Sequence, residues 1–281
     1  MTRRQFLRLT GGIIIAGGVA AATTYTYAAF IEPTLVRYET RHIPIPGLPP
    51  ALDGFRIIHL SDFHHNPEHQ NLLQVEQAIQ WVNSSPPDLI VLTGDFIDNN
   101  LDGLDEISQT LAALNARYGV FAVLGNHDHR QGAQSVKRSL EAVGITVLWN
   151  ENVTLPVGAA ALNLVGLDDW LRGRPQIRVA LDGIQPDTTT IALVHEPDVA
   201  DVLSQYPQIH LQLSGHSHGG QIRVPGIGPL ILPILGQKYV QGYYEINQLR
   251  LYTTRGIGYL TNFPLRFNCP PELSELILVP A

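Results

Sequence analysis

A single cysteine, Cys269, excludes any disulfide within the chain, so no covalent staple shapes the fold. Charge is also scarce, at 15% of residues, and what there is leans acidic. The net charge is −7; the first 31 residues carry +3 from Arg3, Arg4 and Arg8 with no acid, which leaves −10 for the rest. An acidic body argues against nucleic acid as the main partner, because binding a phosphate backbone needs clustered Lys and Arg. No internal repeat occurs, and no low-complexity segment beyond the N-terminus. What is plentiful is apolar residues, 44% of 281, enough for one large α/β domain with a sizeable core. Histidine is plentiful too: eleven in an acidic chain.

The chain opens on Thr2-Arg3-Arg4-Gln5-Phe6-Leu7-Arg8, followed by 23 uncharged residues from Leu9 to Ile31. A charged head before an apolar stretch is the layout of an export signal or a membrane anchor. The paired arginines before Phe6-Leu7 resemble a twin-arginine (Tat) signal, which carries folded protein across a membrane and would make the Tat translocase a partner. The stretch is rich in Gly, Ala and Thr and only mildly apolar, which suits that route, and Ala20-Ala21-Ala22 is a candidate cleavage site. An ordinary membrane anchor is the alternative. Both keep the basic end inside and the body outside, held at the cytoplasmic membrane or exported to the periplasm or envelope. The expected organisation is therefore a signal or anchor over 1–31, a proline-rich linker with one edge strand (Val36 to Ile43) over 32–53, and a catalytic domain over 54–281.

Within that domain apolar runs alternate with helical spacing. Phe55 to Leu60, Asp88 to Thr93, Val120 to Leu124 and Ile145 to Leu148 read as strands. Residues 70–82, Leu104 to Ala116 and Ser135 to Val143 read as the helices between them. The alternation implies parallel pairing with right-handed crossovers. The second half is strand-rich: Leu162 to Val165, Ile191 to Val194, Ile209 to Leu213, Gln221 to Val224, Gly242 to Ile246, Arg250 to Thr253 and Leu276 to Val279. Residues 225–237 read as loop. The expected fold class is α/β, with two mixed sheets packed face to face and flanked by helices.

Five polar clusters follow predicted strands, where open α/β sheets gather their ligands. They are Asp62-Phe63-His64, Gly94-Asp95-Phe96-Ile97-Asp98, Gly125-Asn126-His127-Asp128, His195, and Gly215-His216-Ser217-His218. Each alone has a bland reading; a lone histidine after a strand is usually structural. Five in order, all built from hard oxygen and imidazole donors, point to metal, and the lack of thiolate disfavours a structural zinc site.

This ordered set, D-x-H, G-D-x-x-D, G-N-H-D, H and G-H-x-H, resembles the calcineurin-like metallophosphoesterase superfamily from Phe55 to the end of the chain. The stretches Gly215 to Gln221, Arg255-Gly256-Ile257-Gly258 and Arg266 to Glu272 resemble one branch, which holds membrane-associated bacterial phosphohydrolases, some with Tat signals, and UDP-2,3-diacylglucosamine pyrophosphatases of lipid A synthesis. The resemblance implies a four-layer αββα fold. It also implies two divalent cations, with Mn, Fe, Zn, Mg and Co all suiting such N/O sites. One would be held by Asp62, His64, Asp95 and His218, the other by Asp95, Asn126, His195 and His216. Such a pair activates water and clamps phosphoryl oxygens. His127 would protonate or stabilise the leaving group, with Asp98 orienting its ring.

The activity so implied is cleavage of a phosphodiester or pyrophosphate bond in a phosphorylated small molecule or lipid of the envelope. The lipid A precursor pyrophosphatase is one alternative, and a metal-stabilised binding protein another. Arg255 and Arg266 could fork a substrate phosphate or merely brace loops. His65 and His129 match no ligand position, His59 and His210 read as sheet residues, and Cys269 as buried and inert. Asp168-Asp169-Trp170 follows a strand and could line the cleft.

Overall fold

The structure, a computed structural model, describes residues 2–68, 72–185 and 187–281. Chain order begins with α1 (Arg3–Thr26), β1 (Arg37–Ile45), β2 (Arg56–Leu60), α2 (Leu72–Ser84), β3 (Leu89–Thr93), α3 (Leu104–Leu111), β4 (Val120–Val123), α4 (Asn126–Ala142) and β5 (Thr146–Val147). It continues with β6 (Glu151–Val157), β7 (Ala160–Gly166), α5 (Ile177–Ala180), β8 (Thr189–Leu193), α6 (Ala200–Leu203), β9 (Leu211–Ser214), β10 (Arg223–Val224), β11 (Gly228–Pro229), β12 (Gly242–Ile246), β13 (Leu249–Thr253) and β14 (Glu272–Pro280).

Among the described residues the strands build two six-stranded sheets, ordered β1-β14-β2-β3-β4-β5 and β12-β13-β9-β8-β7-β6, and a small β10-β11 hairpin. Both sheets are mixed. The centres are parallel, as βα alternation requires, while β14 runs against β2, β12 against β13 and β6 against β7. Strand β3 shows why its run is apolar without a break. Leu89 and Val91 face the core between the sheets, while Ile90 and Leu92 face the helices. A central strand covered on both faces has no polar side to show.

The inter-sheet core joins Ile57, Val91 and Val123 of one sheet to Leu164, Ile191, Leu193 and Leu213 of the other. The outer face of the first sheet is covered by α2, whose Val75, Ala78, Ile79 and Val82 recur at helical spacing, and by α3 and α4. The outer face of the second carries α5 and α6 through Ala180, Ala200 and Leu203. The layers are thus helix, sheet, sheet, helix.

Several expected bounds shift. The anticipated start of α2 at 70 lies outside the described residues. Helix α3 ends at Leu111 instead of Ala116. Strand β10 keeps only Arg223–Val224 of the run expected from Gln221, which itself sits at φ +53°. Strand β6 appears where no element was expected, pairing antiparallel with β7 from Glu151 to Val157.

At the N-terminus, Thr2 and Gln5 cap α1 reciprocally. No helix among the described residues is long and apolar enough to cross a membrane.

Helix α4 begins at Asn126, nine residues before the apolar spacing does. Its polar start, His127 to Gln131, has no periodicity to read. It is held by Asp128, whose buried carboxylate accepts the N–H groups of Gly125, Asp95 and Phe96 at 2.9, 2.8 and 2.9 Å. One side chain therefore ties the loop after β3 to the loop after β4. Asp128→Ala leaves three buried donors without that acceptor, at about 1–3 kcal/mol each. The urea midpoint is expected to fall by the equivalent of about 3 kcal/mol or more; an unchanged midpoint contradicts this role.

Candidate metal centre

The C-terminal ends of β2, β3, β4, β8 and β9 meet along one edge, so the five clusters converge although they span 157 positions from Asp62 to His218. Two groups form. Asp62, His64 and His218 make one; Asp95, His195 and His216 make the other. His64 Nε2 lies 3.0 Å from His218 Nε2, and Asp62 Oδ1 is 3.3 Å from His218 Nε2. Asp95 Oδ2 lies 3.4 Å from His64 Nε2 and 3.2 Å from His195 Nε2, so a single carboxylate oxygen faces both groups. The His216 N–H donates to both oxygens of Asp62, at 3.0 and 3.1 Å, joining the two sheets through the site.

The orientation of the rings decides what this space can hold. His195 Nδ1 lies 2.6 Å from the Thr93 carbonyl and His216 Nε2 lies 2.9 Å from the Ile234 carbonyl. A carbonyl only accepts, so both nitrogens are donors, and in neutral rings the opposite nitrogens carry lone pairs. Those nitrogens, His195 Nε2 and His216 Nδ1, are 3.2 Å apart beside Asp95 Oδ2. Asn126 Oδ1, also buried, finds no hydrogen-bond partner among the described residues. Lone pairs converging without a proton between them fit a cation, and fixing one ring nitrogen on a carbonyl is how proteins orient metal-binding histidines. Without a cation the cradle takes a proton. Burial opposes charge on His195, yet Asp95 pushes its pKa well up, while burial and the His195 charge push His216 down to about 4. The residues present therefore suit N/O coordination of divalent metal.

His127 and Asp98 stand beside these groups. His127 Nδ1 is 2.9 Å from Asp98 Oδ1, and its backbone N–H donates to Asp95 Oδ1 at 2.8 Å. Burial works against a charged His127, but the Asp95 charge and the Asp98 bond outweigh it and lift the imidazole to about 9. Burial likewise disfavours a charged Asp98, but bonds from His127, His64 and Thr261 hold its carboxyl well below the usual range. His127 also falls within a possible ligand group with His64 and Asp95. Arg130, one turn along α4, adds a donor 3.1 Å from the Asp98 carbonyl. Arg130 and Thr261 carried no motif signal, since the first lies in the polar start of α4, which has no apolar periodicity, and the second reaches Asp98 from 163 positions away.

Backbone strain concentrates here. Asp62, His64, Asp95, His216 and His218 all have φ between +44° and +68°. Such left-handed backbone is costly for residues with a Cβ and persists where the surroundings impose it. Two glycines permit the close approach. A Cβ on Gly215 would overlap the Ser61 and Asp62 side chains, and one on Gly125 would overlap Asp95 Oδ1.

The two arginines lie elsewhere. Arg266 is fully buried, its guanidinium spent on the carbonyls of Gly258, Cys269, Arg255 and Gly256. Arg255 pairs with Glu39 at 2.9 Å and Glu272 at 3.0 Å and lines a separate hollow. Neither is among the residues that line the cleft; both brace the C-terminal loops, the second of the two readings of these residues. Cys269 is buried, its Sγ 3.2 Å from the His218 carbonyl. His65 meets Glu106, His129 meets Asp168, and buried His59 meets Thr93. Asp168 is thus spent on His129 and lies outside the cleft.

The cleft itself, about 320 Å³, has Asp95, Asn126, His127, His216 and His218 in its lining. The rest of its lining is largely apolar, with Ile231, Leu232, Pro233, Leu260 and Phe263, and the first three adjoin the Ile234 carbonyl that meets His216. This apolar part was not legible, because 225–237 read only as loop.

The calcineurin-like phosphoesterase family profile matches residues 55–220. A metallophosphoesterase of Bacillus subtilis, YkuE, described as uncharacterized, is 38% identical over 99% of this chain and 98% of its own. The Escherichia coli phosphodiesterase YaeI is 32% identical over 99% of this chain and 100% of its own. Among solved structures, the NAD nucleotidase of Haemophilus influenzae shares the fold with TM-score 0.51 at 15% identity, over 72% of this chain and 50% of that one. The chain belongs to the calcineurin-like phosphoesterase family and is a phosphoester hydrolase.

Proposed function

We propose that the protein is a binuclear-metal phosphodiesterase of the bacterial envelope. The observation that carries the reading is Asp95 Oδ2 facing imidazole nitrogens of both groups, 3.4 and 3.2 Å away. On this reading Asp62, His64, Asp95 and His218 would hold one cation and Asp95, Asn126, His195 and His216 the other. Two such cations, when bound, lower the pKa of water and draw charge from phosphoryl oxygens. The name of the Escherichia coli relative supports a diester as the substrate class.

The chain's own residues supply the rest. With Nδ1 committed to Asp98, His127 keeps Nε2 for the leaving oxygen, and the Asp98 carboxylate beside the ring favours its protonated form. Asp98 holds the ring by its carboxylate and its carbonyl together. The apolar part of the cleft's lining, Ile231, Leu232, Pro233, Leu260 and Phe263, limits water beside the polar groups.

The test is turnover of bis(p-nitrophenyl) phosphate with added manganese, lost with chelator and restored with metal. Metal-replete protein without turnover would instead favour a metal-stabilised binding protein. Within this test, His127→Ala is expected to keep its metal and lower turnover roughly 10²-fold on substrates with poor leaving groups, less with p-nitrophenolate, which needs little protonation. A variant stripped of metal would make His127 a ligand and contradict the role.

For location, the paired Arg3 and Arg4 before the uncharged stretch support twin-arginine export or membrane attachment with the domain outward. Ligands spread from Asp62 to His218 assemble only on folding, which suits a route that moves folded protein already loaded with metal. Arg3→Lys with Arg4→Lys is expected to strand active enzyme inside, read by fractionating cells and assaying metal-dependent diesterase. Activity of the unmodified chain that stays cytoplasmic overturns export and brings the lipid A precursor pyrophosphatase forward.

A further inference from the structure

The segment from Val224 to Gly236 contains no charged residue, yet it lies open on the surface. Ile227, Leu230, Ile231 and Ile234 are 76%, 57%, 74% and 69% exposed. Four aliphatic side chains so bare within eight positions exceed the scattered exposure normal for a soluble face. The segment is also continuous with the cleft, whose apolar wall includes Ile231, Leu232 and Pro233, and the Ile234 carbonyl is the one that orients His216.

A second apolar element shares its support. Residues 266–268 form a narrow strip with two edges in use. On one edge Phe267 exchanges bonds with the base of the hairpin: its N–H donates to the Gln221 carbonyl at 3.0 Å, and its carbonyl accepts from Arg223 at 2.9 Å. On the other, the Arg266 N–H donates to the Ala28 carbonyl at 2.9 Å, and the Asn268 N–H to buried Glu32 at 2.9 Å. The N-terminal segment tied there carries exposed Tyr27, Phe30 and Ile31. The strip belongs to the same C-terminal loops that supply Phe263 to the cleft.

We infer that the hairpin Val224 to Leu235 enters a lipid bilayer beside the N-terminal segment, and that the cleft draws its phosphodiester from a lipid in that bilayer. This rests on the phosphodiesterase reading of the metal centre. A bilayer fits better than a protein partner because two separate apolar elements, the hairpin at the cleft and the N-terminal segment, are tied to one strip, and hydrocarbon accommodates both without matched side chains. A lipid's acyl chain would follow Ile231, Leu232 and Phe263 while its diester meets the polar groups.

The experiment uses full-length, metal-loaded Ile227→Cys carrying an environment-sensitive fluorophore. Cys269, 1% exposed, stays unlabelled. The probe is a vesicle of phosphatidylcholine and phosphatidylglycerol with nitroxide-labelled acyl chains in one arm. Emission from position 227 is expected to rise about threefold on adding plain vesicles and to be quenched by acyl nitroxides, as an apolar face sinks into the acyl boundary. The same label at Gln248→Cys, in the β12–β13 turn at the opposite sheet edge, is expected to stay unchanged. A position-227 label that stays in water while the protein sediments with vesicles overturns the inference, because α1 alone would then account for binding. A rise that needs no vesicles and grows with protein concentration also overturns it, in favour of a second copy. In parallel, Ile227→Asp with Leu230→Asp is expected to slow hydrolysis of a vesicle-borne phosphodiester by about 10²-fold while leaving the soluble diester unchanged; equal rates on vesicles for variant and parent count against it. Failure of the parent on the soluble diester would strike the phosphodiesterase reading and leave hairpin insertion standing.

Discussion

Asp95 occupies the place where every other part of the site has to agree. Its Oδ2 faces His64 and His195, its Oδ1 takes the His127 N–H, and its own N–H is spent on Asp128. A buried carboxylate among buried imidazoles costs a great deal unless positive charge is supplied. Here it can come from protonated His195 or from cations, and the two compete for the same lone pairs. The donors fixed on the Thr93 and Ile234 carbonyls settle which ring nitrogens point inward, so geometry favours metal over a scatter of protons.

The sheets serve that constraint. Parallel strands bring their C-terminal ends to one edge, so residues far apart in sequence arrive together without long excursions. The loops leaving those strand ends are strained, with five of the seven proposed ligands in left-handed backbone. The inter-sheet core and the clamp of Asp128 on three loop N–H groups provide the rigidity that holds this strain in place.

The residues at strand ends were legible because chemistry and position coincide there. An apolar run such as Leu89 to Thr93 announces a buried strand, and Asp95 directly after it has little other reason to be there. The two sheets packed face to face followed from the same alternation, and the four-layer order from the family resemblance. The features that stayed hidden lack local periodicity or depend on distant partners. The first turns of α4 are polar and rest on Asp128; Thr261 reaches Asp98 from another region; Arg266 looks like a phosphate-binding residue until its donors are seen spent on four carbonyls. The apolar wall was hidden for a related reason: glycine and proline mark Val224 to Gly236 as loop but do not reveal which way Ile231 and Leu232 face.

If Asp95 belongs to both proposed cation sites, replacing it should weaken both at once. Elemental analysis of active protein, taken with the same measurement on Asp95→Asn and His195→Ala, tests it most directly. About two divalent ions per active chain are expected, one retained in His195→Ala, and both weakened in Asp95→Asn with the larger loss of activity. A fully active sample with one ion or none, or equal and mild losses from both substitutions, would contradict it.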